Sequence, residues 1–181
     1  MEIFDGSSDS SARITRTQLA VLVAGVSSMG LEILAGRIIA PEFGSSIYTW
    51  GSIIGVFLTA LSLGYYRGGK RAKEASRSRL AVILLFAASY VALVVLFGDI
   101  LLELSTRVPL PPRFSALTPV VLLFGPPVYM LGFISPYAAE LSVKESTGES
   151  AGQVYAIGTI GSIIGAFATT FFLIPWLSVE T

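Results

Sequence analysis

An all-α integral membrane protein is predicted, with about five transmembrane helices in an inverted-repeat arrangement of the 3+3 kind that lacks its sixth helix. Three observations carry this. Hydrophobic residues make up 53% of the chain and charged residues only 13%, with a mean hydropathy of +0.75. A water-soluble domain carries about a quarter charged residues, so most of this surface is suited to hydrocarbon. Five apolar runs, at about 17–40, 47–67, 80–104, 117–141 and 153–177, are each long enough to cross a core about 30 Å thick. Finally, Gly-Ser-Ile-Ile-Gly occurs twice, at 51–55 and at 161–165.

Residues 1–16 are polar and Ser-rich, without a small-residue cleavage site, and are expected to be a disordered cytoplasmic tail. Residues 17–181 form the membrane domain. Lys and Arg set the orientation. Arg13, Arg16, Arg67, Lys70, Arg71, Lys73, Arg77, Arg79 and Lys144 fall on one side, against Arg107 and Arg113 on the other, nine to two. The N-terminus is therefore expected in the cytoplasm and the C-terminus outside, in a multi-pass plasma-membrane protein.

Segment 1 places Ala20, Ala24, Ser28, Glu32 and Gly36 at every fourth position, a stripe that admits a neighbouring helix and carries Glu32 into the contact. Arg37 lies about 140° around the helix from Glu32, so its partner is expected on another helix or at Glu42, beyond a helix end at Pro41. Glu32, Arg37, Glu42 and, in segment 4, Tyr137 are candidate substrate-binding residues; helix packing is the alternative role for Glu32 and Arg37.

Segment 2 opens with Tyr48 and Trp50, suited to an interfacial belt, and continues with Gly51 and Gly55 as helix-packing residues. The loop after it holds six cations, among them Arg67, Lys70, Arg71 and Lys73, and one acid, Glu74. Positive-inside bias accounts for that loop, with anionic headgroups or a cytosolic partner as the other reading. Segment 3 ends in Asp99, Glu103 and Arg107 at i, i+4 and i+8, where the last pair can bridge. Segment 4 is interrupted by Pro119, Pro126, Pro127, Gly132 and Pro136. Interior prolines free backbone carbonyls that need partners, and broken spans recur at transporter binding sites. Segment 5 bears Gly161 and Gly165, again helix-packing residues; G-x-G-x-x-G spacing is absent.

The chain contains neither Cys nor His. Thiolate chemistry, Cys/His metal sites and His-based triads are thereby excluded. No catalytic residue, metal or cofactor is expected, and no nucleic-acid partner. GSIIGVF in segment 2 and GSIIGAF in segment 5 run in opposite directions under this topology, which indicates the inverted repeat. A sixth span would be expected after residue 177, so the chain reads as a fragment, a split subunit with a non-covalent partner, or a bundle that associates as a homo-oligomer.

The stretch LEILAGRIIAPEFGSSIYTWGSIIGVFLTALSLGYYRGGKRA, followed in order by ISPYAAEL and GQVYAIGTIGSIIGAFATTFFLIPWL, resembles the membrane region of polytopic spermidine synthase-like proteins, the fused major facilitator/spermidine synthases. The GYYRGGKR loop is also similar to the glycine-and-basic loop of major facilitator transporters. The resemblance implies a membrane module that anchors or feeds a cytosolic polyamine aminopropyltransferase domain or subunit. No soluble catalytic domain lies within this chain, and none of that family's catalytic residues maps onto it. A transporter-like unit for a small substrate, cationic or otherwise, and a structural oligomerising subunit are the alternatives.

Overall fold

The structure, a computed structural model, describes the backbone of residues 6–142 and 147–176 and the side chains of 16–111, 113–142 and 148–176. Among the described residues every regular element is helical. In chain order they are α1 (Gly6–Phe43), α2 (Ile47–Lys70), a 3-10 turn (Ala72–Glu74), α3 (Arg77–Thr106), α4 (Pro112–Ser115), α5 (Leu117–Leu131), α6 (Ile134–Ser142), α7 (Thr147–Ala168), a π turn (Thr169–Leu173) and α8 (Ile174–Trp176). Five helices or helix pairs are long and apolar enough to cross a membrane: Arg16–Phe43, Ile47–Lys70, Arg77–Thr106, Arg113–Ser142 and Gly148–Trp176. That is compatible with a multi-pass membrane protein.

Local chemistry sets the ends. Gly44 adopts φ +75° and donates its N–H to the Ala40 carbonyl at 2.9 Å. Only glycine takes that left-handed cap without penalty. Ser46 then caps α2 by accepting the Thr49 N–H at 3.2 Å, and Ser76 does the same for Arg79 in α3 at 3.2 Å. Two expectations are corrected at the ends of α1. The helix continues through Pro41 to Phe43, because a proline so close to the C-terminus forfeits only one carbonyl partner. It also begins at Gly6, inside the expected tail, since extending a helix already nucleated by an apolar run costs little. Residues 1–5 of that tail lie outside the described residues.

The fourth span is the centre. Half of its apolar window is buried, against 11% for α3 and 17% for α7. It packs α5 between α2 and α3, while α1 lies along α7 and also meets α2 and α6. One apolar cluster joins α1, α2 and α5 through Ala35, Ile39, Ile53, Phe57, Val120 and Phe124, with the Phe57 and Phe124 rings 6.0 Å apart. A second joins Val21, Leu80, Leu131, Ile134, Tyr137 and Val154. On α3, Leu85, Phe86, Leu93, Val95 and Leu96 are exposed, apolar side chains suited to a hydrocarbon surround.

Bare backbone allows the closest crossings. A side chain on Gly161 or Gly165 would collide with the Leu22 or Val26 carbonyl of α1. Gly64 of α2 likewise sits on the Tyr129 carbonyl and on Gly132. The fourth span breaks at Gly132–Phe133 and not at Pro126–Pro127, which remain inside α5. Pro126 leaves the Leu122 carbonyl without its N–H, and the Tyr90 hydroxyl of α3 donates to that oxygen at 2.6 Å. Pro136 falls in the first turn of α6, where no donor is needed.

Candidate functional site

Where α1, α2, the α5–α6 break and α7 meet, they enclose a cleft of about 180 Å³. Its polar lining is Ser28, Tyr65, Ser135, Tyr155, Thr159 and Ser162. The break puts Ser135 there: unwinding at Gly132–Phe133 turns the chain so that α6 restarts beside α1 and α7. On α7, Thr159 donates its hydroxyl to the Tyr155 carbonyl at 2.8 Å, and Ser162 to that of Gly158 at 3.1 Å. With those protons committed, both oxygens offer the cleft lone pairs only. Ser28 and Ser135 make no side-chain hydrogen bond among the described residues.

Glu32 lies one helical turn from Ser28 on the same face of α1 and is half-buried. Among the described residues it has neither an ion pair nor a hydrogen bond. Arg37 and Glu42 are exposed and line no cleft. Among the described residues Arg37 pairs neither with Glu42 nor with an acid on another helix, the two partners expected for it. Because α1 continues as a helix through Pro41, Glu42 is five residues on and again about 140° away. Tyr137 is buried against Phe133, ring centroids 6.1 Å apart. It lines a different depression, beside Arg71, Glu74 and Arg79 under the basic loop. The four candidate binding residues therefore do not converge; Glu32 is not among the residues lining the polar cleft and is related to it only by its spacing from Ser28.

Of the residues expected in the basic loop, Arg67 and Lys70 belong to the last turn of α2 while Arg71 and Lys73 follow it, and all four are exposed. Arg67 donates to the Tyr129 hydroxyl at 3.1 Å and Lys70 sits over the Tyr66 ring at 4.4 Å. Glu74 pairs with Arg79, whose guanidinium hydrogen bond holds the carboxyl below the usual carboxylate range. At the far end of α3, Arg107 bridges Glu103 at 2.6 Å, as the i, i+4 spacing predicts. Trp50 does more than mark an interface: its ring lies on Gly36 of α1, and its indole N–H donates to Ser45 at 3.3 Å.

The two GSIIG copies differ in surroundings. Gly161 and Gly165 are in backbone contact with α1, whereas a side chain added at Gly51 or Gly55 would meet nothing within 4 Å, and both face a groove between α2 and α5. The cleft hydroxyls Ser135, Thr159 and Ser162 escaped the sequence reading as binding groups. The available signal was Ser162 on the same helical ribbon as Gly158 and Ala166, where a hydroxyl replaces a packing residue. Protein-family models, curated proteins and solved structures give no match to this chain.

Proposed function

We propose that the chain is a multi-pass membrane module that accepts a small organic amine, in its cationic form, in the cleft bounded by Ser28, Ser135, Thr159 and Ser162. The carrying observation is that Thr159 and Ser162 offer this cleft lone pairs only, and that Glu32, without a partner among the described residues, follows Ser28 by one turn of α1. An alkylammonium group is donor-only and matches that lining in sign and in hydrogen-bond sense. The rings of Tyr65 and Tyr155 at the rim add faces on which a cation rests favourably. A cleft of 180 Å³ is below the usual range for drug-sized ligands, which suits the end of a slender polyamine.

The motif resemblance supports a spermidine synthase-like context, in which the module anchors or feeds an aminopropyltransferase on the same or another polypeptide. In this reading the module lies in the plasma membrane with the basic loops and N-terminus in the cytoplasm, and spans 2 and 5 are inverted counterparts. The distribution of Lys and Arg and the paired GSIIG sequences support it.

The test is equilibrium binding of labelled spermidine to the purified protein in detergent, and its uptake into vesicles. Glu32→Gln is expected to lower affinity at least tenfold with unchanged thermal stability. Unchanged affinity in Glu32→Gln would sink the amine reading. A transferase that copurifies while spermidine fails to bind would leave the anchoring role alone.

A further inference from the structure

The groove between α2 and α5 is larger than the cleft, about 680 Å³, and runs from Gly51 to Arg67. At 1.5 Å per residue its length is about 24 Å, more than the roughly 15 Å of hydrocarbon in one leaflet. Its floor is open, since a side chain added at Gly51, Gly55 or Gly125 would meet nothing within 4 Å, and its walls are apolar, with Val56, Leu63 and Val121 among them. The Ser52 hydroxyl gives its proton to the Tyr48 carbonyl at 2.8 Å. No carboxylate lines the groove among the described residues.

One charge stands at its end. Arg67 is held there by Tyr129, whose hydroxyl accepts from Nη1 at 3.1 Å and whose ring lies 5.7 Å beneath the guanidinium. Tyrosine fixes the side chain without cancelling its charge, and the remaining N–H groups stay unspent. Arg79 and Arg107, by contrast, are each neutralised by a glutamate. Arg67 also lies three residues before the end of α2, where a headgroup layer meets hydrocarbon.

We infer that this groove seats one anionic phospholipid, its phosphate on Arg67 and an acyl chain laid along α2 past Gly55 towards Gly51. The charge complementarity favours an anionic lipid: no carboxylate lines the groove among the described residues to answer Arg67, and a phosphate supplies that charge. This site is separate from the amine cleft and does not rest on it.

The experiment reconstitutes the protein in vesicles of equal phosphatidylglycerol and phosphatidylcholine, extracts it in mild detergent, and measures the retained lipid by mass spectrometry. The natural sequence is expected to enrich phosphatidylglycerol several-fold. Arg67→Gln is expected to abolish the enrichment, and Arg67→Lys to keep part of it. Gly55→Leu, whose new side chain enters open space, is expected to reduce all retained lipid while leaving thermal stability intact. Enrichment unaltered in both Arg67→Gln and Gly55→Leu overturns the proposal. So does a Gly55→Leu variant that keeps its lipid but loses crosslinking between copies, because the occupant would then be a second chain.

Discussion

Pro126 poses the sharpest local problem in the molecule, and Tyr90 answers it. A proline in a buried helix strips a carbonyl of its donor, and in hydrocarbon no water replaces it. The Tyr90 hydroxyl, reaching across from α3, fills that place on Leu122. Tyr90→Phe is expected to destabilise the protein by about 1 kcal/mol, the usual net value of one hydrogen bond. In a Pro126→Ala background the restored N–H serves the carbonyl, so the same substitution should cost much less. A double-mutant cycle by reversible unfolding in detergent measures the difference, and equal costs in the two backgrounds would refute the assignment. The prolines were plain in the sequence, but their consequence was not. The freed carbonyl finds its donor in a tyrosine 36 positions away in the chain, and the span breaks instead at Gly132–Phe133. The same limit applies to Glu32: its spacing from Ser28 could be counted, whereas the α7 hydroxyls facing that region depend on tertiary contact.

Among whole elements, α2 and α7 carry the same five residues in unlike settings. Gly161→Leu or Gly165→Leu is expected to cost at least the 1–3 kcal/mol typical of overpacking, since the obstruction is α1 backbone and cannot rotate aside. Gly51→Leu should be close to neutral in the isolated chain. Melting temperatures of the matched pair in detergent decide the matter, and similar losses at both sites would contradict the packing. Helix class was legible because long apolar runs admit little else in lipid. Helix ends were less so: the Gly44 cap overrode the stop anticipated at Pro41, and the polar start of α1 propagated from the run behind it.

Across the whole molecule, five helices of membrane-spanning length and the proposed cytoplasmic basic loops make a topological forecast. The natural chain has no cysteine, so single introduced ones report alone. A membrane-impermeant thiol reagent added outside intact cells is expected to label Ser45→Cys and to miss Ser76→Cys. The reverse pattern would invert the orientation, and labelling at both would undo the second crossing. Composition made five helices of spanning length readable; which spans touch was not readable, because α1 beside α7 and α5 between α2 and α3 arise only on folding.

The contact of Gly64 with Gly132 has a mechanical corollary. Backbone rests on backbone there, and one turn further on Gly68 lies against Phe133 and Pro136, so the same face of α2 is seated at two successive levels. Swivelling about the Gly64 contact is therefore opposed at Gly68, and the C-terminal half of α2 is clamped to the broken span. Spin labels near residues 64 and 132 and a second pair near 68 and 136 should both report narrow distance distributions.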